Sequence, residues 1–224
     1  MHNGFYTNGR LNLEASAKMI EESGADIIGL QEVSRGWLIW GGADTLLWLS
    51  QRLNMPYISG PTADPQWGNA ILSRYPLSDI QIKLLPPDDL LIKRGLIQAH
   101  IEIGSEKINI IVTHFYHRPD QSEIREQQAA EIIKNLQSHE YAVLLGDLNA
   151  TPDSKEMQML ADSGLVDLAN EIETPPTFTF YSAAPDQQID YIWITKNLKA
   201  SNFQIIKSTI SDHFPVFSSI SLPK

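Results

Sequence analysis

The sequence predicts a mixed α/β domain built of layers, with more strands than helices. Short apolar runs typical of buried strands recur along the chain, and two of them are joined in a hairpin by Gly104-Ser105-Glu106. Only a few stretches carry the amphipathic spacing of a helix. Strands that follow one another directly favour a mixed layered fold over a strictly alternating parallel one. We expect residues 1–224 to form a single domain of this class.

The composition is ordinary for a soluble globular protein, and it excludes some kinds of catalytic and metal site. The 224 residues include no cysteine, which excludes disulfides, thiolate nucleophiles and Cys-based zinc or iron sites. No apolar run is long enough for a membrane span, and no signal peptide begins at Met1; the compartment stays open. A net charge of −10 without a basic run argues against a nucleic-acid backbone as partner. The surplus carboxylates suit divalent cations, and equally a solvated acidic surface.

The first predicted elements are a helix and a buried strand. Leu11 to Ser23 has the pattern of an amphipathic helix that ends at Gly24. The apolar run Ala25 to Leu30 is then a strand that ends in Gln31-Glu32-Val33, where a polar loop begins. An inner strand that follows a helix usually has another strand before that helix. Too few residues precede this helix, so we expect the first strand of the fold to be missing from the chain.

The next segment carries three tryptophans. Asp44 is expected to cap a helix that extends through Leu53, with Trp48 in its core-facing side. Trp37 and Trp40 lie in a Gly-flanked loop, where they could form a rim beside a substrate. The alternative is that these loop tryptophans are simple packing residues.

The remaining chain alternates between strands and two further helices. Strands are predicted over Gly68–Ser73, Ile80–Leu84, Leu96–Ile103, Ile108–Val112, Tyr141–Leu145, Phe178–Phe180, Ile189–Ile194 and a last run that ends at Leu222. Helices are predicted over Gln121–Gln137 and Lys155–Ser163, the second capped by Asp153 or Ser154 and stopped by Gly164.

Polar side chains stand where several of these strands end. Asp147 and Asn149 follow the central strand two residues apart, so that both point to one face. An acid beside an amide donor suits the joint handling of a phosphate and a nucleophilic water. The alternative is an Asx-stabilised turn, with both side chains bonded to local backbone. Asp190 lies inside an apolar strand and needs a partner, because burying an unpaired carboxylate is costly.

Taken together, the strand-end motifs resemble those of the endonuclease/exonuclease/phosphatase superfamily. This superfamily includes deoxyribonuclease I, abasic-site endonucleases, inositol-polyphosphate phosphatases and neutral sphingomyelinases. The matching motifs follow the family order over nearly the whole chain: Leu30-Gln31-Glu32-Val33, Gly68-Asn69-Ala70-Ile71-Leu72-Ser73, Thr113-His114-Phe115, Gly146-Asp147-Leu148-Asn149, Ile189-Asp190-Tyr191 and Ser211-Asp212-His213-Phe214-Pro215.

The resemblance implies a four-layer sandwich and a metal site. Two mixed β-sheets would pack face to face with helices outside, and the active site would lie at one end of the sandwich. Glu32 resembles the family's metal carboxylate, for Mg²⁺ or Mn²⁺. Asp212 resembles an acid beside the metal or one shell behind it, and Asn69 resembles a supporting residue behind the site.

The same resemblance implies the catalytic groups. Asp190 and His213 resemble an acid–histidine pair in which the carboxylate fixes the imidazole tautomer. Asp147 would position or deprotonate the attacking water, while Asn149 and His114 would donate hydrogen bonds to the phosphate oxygens. The implied chemistry is in-line attack of water on phosphorus, assisted by the metal ion.

One part of the family pattern is missing, and one subgroup is a closer match. In the family, the first strand ends in an Asn that joins the Glu at the metal; here His2-Asn3-Gly4 resembles the turn after it, so this Asn would precede Met1. The metal site is then expected to lack one ligand, and activity to be weakened. Trp48-Leu49, Gly60-Pro61-Thr62 and Trp67-Gly68 resemble C-terminal domains of membrane proteins linked to remodelling of GPI-anchor lipids.

We therefore expect a metal-dependent phosphodiesterase or phosphatase that acts on a small or lipid-linked phosphoester. Such a domain could meet a membrane through a missing upstream segment. Two alternatives stay open: a Mg²⁺-dependent endonuclease or exonuclease, and a catalytically weakened domain that binds a phosphorylated head group.

Overall fold

Two β-sheets pack face to face in the computed structural model, and helices cover the outer side of each. The structure describes residues 12–38, 41–171 and 177–223. Within them the predicted four-layer α/β sandwich is confirmed, with a six-stranded and a three-stranded sheet as its inner layers.

The elements follow the chain in a strand-rich order. The helices are α1 (Leu13–Ser23), α2 (Thr45–Leu53), α3 (Ser122–Leu136) and α4 (Lys155–Asp162), and a 3-10 helix spans Leu168–Glu171. The strands are β1 (Ile27–Ser34), β2 (Tyr57–Asp64), β3 (Trp67–Ser73), β4 (Ser78–Leu85), β5 (Arg94–Ile103), β6 (Glu106–His114), β7 (Ala142–Asp147), β8 (Leu165–Asp167), β9 (Asp190–Thr195), β10 (Lys199–Ile205) and β11 (Val216–Ser221).

The larger sheet is mixed, with the strand order β4-β5-β6-β7-β9-β8. Strands β6 and β7 are parallel, and the other neighbours in this sheet are antiparallel. Parallel neighbours need a crossover connection, and α3 supplies it between β6 and β7. As a result the carboxyl ends of β6 and β7 lie side by side at one edge.

The other inner layer consists of the antiparallel sheet β1-β3-β2 and the antiparallel pair β10-β11. Ile71 of this layer packs against Ile97, Ile110 and Ile192 of the larger sheet in a shared core. On the outer face of the larger sheet, alternate residues such as Leu144 pack under α3 and α4. The outer face of β1 and β3 is covered in the same way by α1 and α2.

Local signals in the sequence set most of the helix ends. The Asn12 side chain accepts a hydrogen bond from the Ala15 backbone N–H, and α1 stops at Gly24 in the left-handed region, with φ at 67°. Asp44 caps α2 by accepting from the Leu47 N–H, as predicted. Of the two candidate caps for α4, Ser154 fills the position, accepting from the Met157 N–H.

The predicted end of the first buried strand is wrong. Strand β1 continues to Ser34, passing through a β-bulge between Leu30 and Val33 where the register with β3 shifts. Glu32 sits in this bulge with φ at 56°, a left-handed conformation that only a small fraction of non-glycine residues adopt. The bulge re-aims a side chain, and Glu32 therefore lies within a distorted strand, not in a loop after it.

Further differences concern exposed or irregular segments. Trp48 is 36% exposed on α2, so its predicted place in the core is wrong. The predicted strand Phe178–Phe180 is reduced to isolated bridges from Phe180 to Gln187 and His213. Strands β2, β8 and β10 escaped prediction.

The prediction that the first strand is missing concerns residues that the structure does not describe. The predicted turn His2-Asn3-Gly4 lies outside the described residues, as does Trp40.

Between β1 and β11, a groove of about 440 Å³ is lined by residues 25–31 and 213–220. None of the described helices combines the length and the apolar character needed to cross a bilayer.

A buried carboxylate at the end of β8 gives a test of the fold. Asp167 is 3% exposed; it accepts hydrogen bonds from the Ala169 N–H and the Gln188 amide, and burial raises its pKa from 3.8 to about 6. Because the folded state holds this proton more tightly than the unfolded state, its contribution to stability falls as pH rises from about 4 to 6. At one pKa unit per about 1.4 kcal/mol, the loss at pH 8 is at most about 3 kcal/mol.

We therefore expect Asp167→Asn to remove this pH dependence while keeping the Ala169 hydrogen bond. Urea unfolding of both proteins at pH 4, 5, 6, 7 and 8 should show the variant gaining stability relative to wild type as pH rises. A difference in unfolding free energy that is constant over this range would contradict the assignment.

Candidate active site

Three adjacent strands bring polar side chains to one edge of the larger sheet. His114 ends β6, Asp147 ends β7 and Asp190 begins β9. Asp147 is in register with His114 on one side and with Asp190 on the other. Residues far apart in sequence therefore stand in one row, because parallel β6 and β7 end together and antiparallel β9 starts where they end.

A glycine immediately before Asp147 permits this close arrangement. A Cβ atom built at Gly146 would lie 2.3 Å from the backbone oxygen of Thr113 on β6. Real Cβ atoms do not approach a carbonyl oxygen that closely, so any larger residue would push β7 away from β6. Gly146 thus holds Asp147 beside His114.

Asp190 and His213 are in direct contact. His213 Nδ1 lies 2.8 Å from Asp190 Oδ2, and the His213 ring packs against Phe180 with centroids 4.8 Å apart. Burial acts to lower the pKa of His213, but the charge and hydrogen bond of Asp190, with Asp147 behind it, outweigh burial and raise this pKa to about 9. His213 is therefore an imidazolium at neutral pH, with Nδ1–H donated to Asp190.

Asp147 divides its two oxygens between the backbone and the site. Oδ1 accepts a hydrogen bond from the Asn149 backbone N–H at 2.9 Å, the Asx turn that the sequence left as an alternative. Oδ2 lies 3.4 Å from His114 Nε2 and 3.8 Å from His213 Nε2. Burial, followed by the charge of Asp190, raises the pKa of Asp147. One local bond thus fixes the carboxyl while its other oxygen faces two imidazoles.

The Asn149 side chain is bonded to the backbone just after β6, far away in the sequence. Its φ is 49°, and its side-chain amide donates to the Phe115 carbonyl at 3.0 Å. An amide nitrogen has two N–H donors, so one is left for a ligand. The side chain is bonded to backbone as the alternative expected, but to a residue distant in sequence, and its hydrogen bond to a phosphate oxygen stays a prediction.

The tautomer of His114 follows from a neighbour that sequence reasoning missed. Arg94 Nη1 lies 3.1 Å from His114 Nδ1, and because arginine can only donate, Nδ1 accepts and the proton sits on Nε2. Burial and the positive charge of Arg94 hold the pKa of His114 well below 6.5. His114 is a neutral imidazole whose Nε2–H points toward Asp147.

Arg94 is a buried cation with spare hydrogen-bonding capacity. It is 3% exposed; a second nitrogen lies 3.4 Å from His117 Nδ1, while its Nε has no hydrogen-bond partner among the described residues. Burial lowers its pKa, against the charges of Glu32 and Asp147, which raise it. The only sequence signal was an arginine directly before Gly95 at the head of an apolar strand.

Asn69 supports the strand that carries Arg94. Its side-chain amide donates to the Gly95 carbonyl at 2.8 Å, and the Thr113 hydroxyl donates to the same oxygen at 3.1 Å. Asn69 is 2% exposed and so stands behind the site.

An aromatic pair continues from Arg94 toward the surface. The Arg94 guanidinium carbon lies 5.9 Å from the centre of the Trp67 ring, and Trp37 packs on Trp67 with centroids 5.6 Å apart. Trp37 is half-buried. Trp37 is the described member of the predicted rim; its packing on Trp67 also fits the alternative of a packing residue, and its contact with a substrate stays a prediction.

The carboxylates could hold a cation. Asp147, Asp190 and His213 present ligand atoms within 4.8 Å of one another, and the charge of Glu32 acts on Arg94 and His117 from its bulge. Asp212 Oδ1 accepts from the Ser211 hydroxyl next to His213. The predicted metal residues Glu32 and Asp212 thus lie outside the tightest group, in which Asp190 already binds the imidazolium. The carboxylate oxygens of Glu32 and Asp212 are ligands of the kind that Mg²⁺ and Mn²⁺ prefer.

Comparison with known proteins places these features in context. A family model described as Endonuclease/Exonuclease/phosphatase family matches residues 7–213. An endonuclease/exonuclease/phosphatase structure from Beutenbergia cavernae DSM 12333 is similar over 99% of this chain and 69% of its own, with 19% identity and a TM-score of 0.85.

Two further solved structures have the same fold. A mannosyl-6-phosphatase from Bacteroides thetaiotaomicron VPI-5482 matches 94% of this chain and 90% of its own, with 18% identity and a TM-score of 0.81. The human Nocturnin catalytic domain with bound sulfate anion matches 94% and 86%, with 21% identity and a TM-score of 0.79. At these identities the likeness bears on the fold alone.

The opposite protonation states of the two histidines can be measured. In the EDTA-treated protein, two-dimensional NMR of the imidazole nitrogens should show His213 still protonated at pH 8 and His114 neutral at pH 6. Asp190→Asn should lower the pKa of His213 by about 2 units, because an opposite charge in contact is lost. His139, at the far end of the sheet, serves as the control that should not move. A pKa of His213 that is unchanged by this substitution would contradict the pairing.

Proposed function

The chain belongs to the endonuclease/exonuclease/phosphatase family, and from this premise we propose that it hydrolyses a small or lipid-linked phosphoester with a divalent metal ion. The observation that carries the proposal is the row of His114, Asp147 and Asp190, completed by His213 at 2.8 Å from Asp190. A module that only binds phosphate needs cations. Two carboxylates held against an imidazolium would repel the phosphate, so they favour hydrolysis over binding alone.

The proposed reaction is attack of water on phosphorus. The water oxygen bonds to phosphorus and Asp147 takes the proton of the water. The bond from phosphorus to the leaving oxygen breaks with its electron pair on that oxygen, which takes a proton from solvent and leaves as the alcohol. The raised pKa of Asp147 makes it a stronger base than an ordinary aspartate. Its Oδ2 is the oxygen available for this, since Oδ1 is bonded to the Asn149 N–H.

Hydrogen-bond donors surround the place where negative charge develops. His114 offers Nε2–H, the His213 imidazolium offers its own Nε2–H, and Asn149 retains one amide proton. Both histidine nitrogens lie within 4 Å of Asp147 Oδ2, at 3.4 and 3.8 Å. Donors fixed in this way stabilise a phosphorane-like charge without reorganising during the reaction.

A divalent metal ion would be held by carboxylates at this edge. Glu32, re-aimed by its bulge, and Asp212 are the proposed ligands, with Asp147 and Asp190 nearby. When bound, Mg²⁺ or Mn²⁺ supplies neutralisation of charge on the phosphate oxygens.

The surroundings of Arg94 favour a compact substrate. This buried guanidinium stands between His114 and Trp67, and Trp37 extends the aromatic surface outward. One cation against an aromatic wall suits a single phosphate with an apolar or sugar neighbour. The net charge of −10 disfavours a long polyanion. A relative of the same fold is described as a mannosyl-6-phosphatase, which makes sugar phosphates a reasonable class to assay.

Loss of a metal or base group should abolish turnover without unfolding the chain. We expect Glu32→Gln and Asp147→Asn each to reduce Mg²⁺-dependent hydrolysis by about 10²–10⁴-fold, because a charge-stabilising or proton-accepting group is lost. The matched control is Glu102→Gln, an exposed carboxylate on β5. Full activity of wild type in excess EDTA would exclude the metal.

The substrate class is tested with a panel. Small phosphodiesters, sugar phosphates, phospholipid vesicles and supercoiled plasmid are incubated with Mg²⁺ or Mn²⁺, and Asp147→Asn is the blank. We expect Asp147-dependent release from a small or lipid-linked ester to exceed plasmid nicking, and Arg94→Lys to reduce it, since lysine cannot reproduce the forked contact. Asp147-dependent nicking alone would favour the nuclease. Head-group binding without any turnover would favour the weakened binding domain.

A further inference from the structure

A second polar cluster lies on the same six-stranded sheet, at the end opposite to the candidate active site. Gln98 and His100 of β5, Asn109 of β6 and His139 just after α3 form it. Asn109 stands where β6 begins to pair with β7, and His114 stands where that pairing ends. Along a strand this separation is roughly 16 Å.

The cluster contains an unusual number of unpartnered buried atoms. Among the described residues, no hydrogen-bond partner exists for either side-chain atom of Asn109 or for Gln98 Oε1, and His100 Nδ1 has only an ion-pair contact, to Asp79 Oδ2 at 3.5 Å. Asn109, Gln98 and His100 are 0%, 3% and 9% exposed. Buried polar groups in folded proteins nearly always have a partner, so three atoms without one in the same place indicate an occupant, water or ion, that is not part of the chain.

The two imidazoles have the spacing of a pair of metal ligands. His100 Nε2 lies 3.5 Å from His139 Nδ1, and the rings are tilted by 54° with centroids 5.0 Å apart. Two nitrogens bound to one tetrahedral zinc lie about 3.4 Å apart. The observed separation is long for a direct nitrogen–nitrogen hydrogen bond and close to that of two nitrogens that share a cation.

The outer nitrogen of each ring faces an oxygen-bearing side chain. Asp79 Oδ2 lies 3.5 Å from His100 Nδ1, and the Gln98 amide nitrogen lies 3.2 Å from His139 Nε2. In the other orientation of the Gln98 amide, its oxygen takes the place of its nitrogen and accepts a hydrogen bond from His139 Nε2–H. Outer partners of this kind orient metal-bound histidines. Burial, with His100 next to it, lowers the pKa of His139 and keeps the ring neutral.

We propose that His100 Nε2 and His139 Nδ1 bind a divalent transition-metal ion such as Zn²⁺, beside Asn109. Imidazole nitrogens select Zn²⁺, Cu²⁺ or Ni²⁺ over Mg²⁺, whereas the carboxylates of the candidate active site favour the reverse. The two sites therefore take different metals. Its occupation would tie the segment after α3 to β5.

The test is Zn²⁺ titration by calorimetry in the presence of excess Mg²⁺, which competes at the oxygen-rich site. Wild type should bind one Zn²⁺ that His139→Gln loses or binds at least about tenfold more weakly. His139 is half-buried, so this variant should fold, while His100→Gln provides a second measurement. The control is His117→Gln, which removes an exposed imidazole beside Arg94 and should leave this Zn²⁺ bound.

Cu²⁺ electron paramagnetic resonance separates the two sites. With one equivalent of Cu²⁺, wild type should show coupling to two nitrogens and His139→Gln to one. Zn²⁺ should raise the melting temperature of wild type and not that of His139→Gln, while Mg²⁺-dependent hydrolysis should be equal in both. Equal Zn²⁺ binding by wild type and His139→Gln, or no Zn²⁺ bound by wild type in the presence of excess Mg²⁺, would overturn the proposal.

Discussion

Two carboxylates lie opposite each other on neighbouring strands, and much of the surrounding structure compensates their charge. Asp147 and Asp190 are in register across β7 and β9, at the edge of a sheet whose interior is apolar. Like charges directly opposite one another destabilise a sheet, and burial increases the cost. The arrangement persists because cations converge on it: His213 binds Asp190, and the charge of Arg94 acts on Asp147 from beyond His114. The loops and strands that deliver these cations are therefore part of the same constraint.

The same neighbouring charges also give different protonation states to two histidines that face the same oxygen. His114 and His213 both stand near Asp147 Oδ2, yet the pKa of one is held well below 6.5 and that of the other is raised to about 9. The difference comes from their other nitrogens. Arg94 can only donate to His114, whereas Asp190 can only accept from His213 while it is ionised. One neutral donor and one charged donor thus share a site without competing for a proton.

Most helices and strands, and the polar residues at the strand ends, could be predicted from the sequence, because periodicity and capping are local. Features that depend on a neighbouring strand could not be predicted. The bulge at Glu32 exists only in the pairing of β1 with β3. Strand β2 contains Pro61, which argues against a strand, and is accommodated because β2 is the edge of the described three-stranded sheet. Arg94 escaped because its importance comes from His114 on the adjacent strand, twenty residues away in the chain.

The same sheet treats polar groups differently at its two ends. At the carboxyl ends of β6 and β7, the edge that forms the candidate active site, buried carboxylates lie close to the positive charges of His213 and Arg94. At the other end, Asn109 and His100 are buried and retain atoms without a hydrogen-bond partner among the described residues, and Asp79 Oδ2 lies 3.5 Å from His100 Nδ1. Desolvation of each such atom costs about 1–3 kcal/mol. A nitrogen-rich cluster of this kind gains most from a cation that binds imidazole, whereas the acidic edge gains most from one that binds oxygen. The chemistry of each end, more than its shape, therefore decides which ion it can hold.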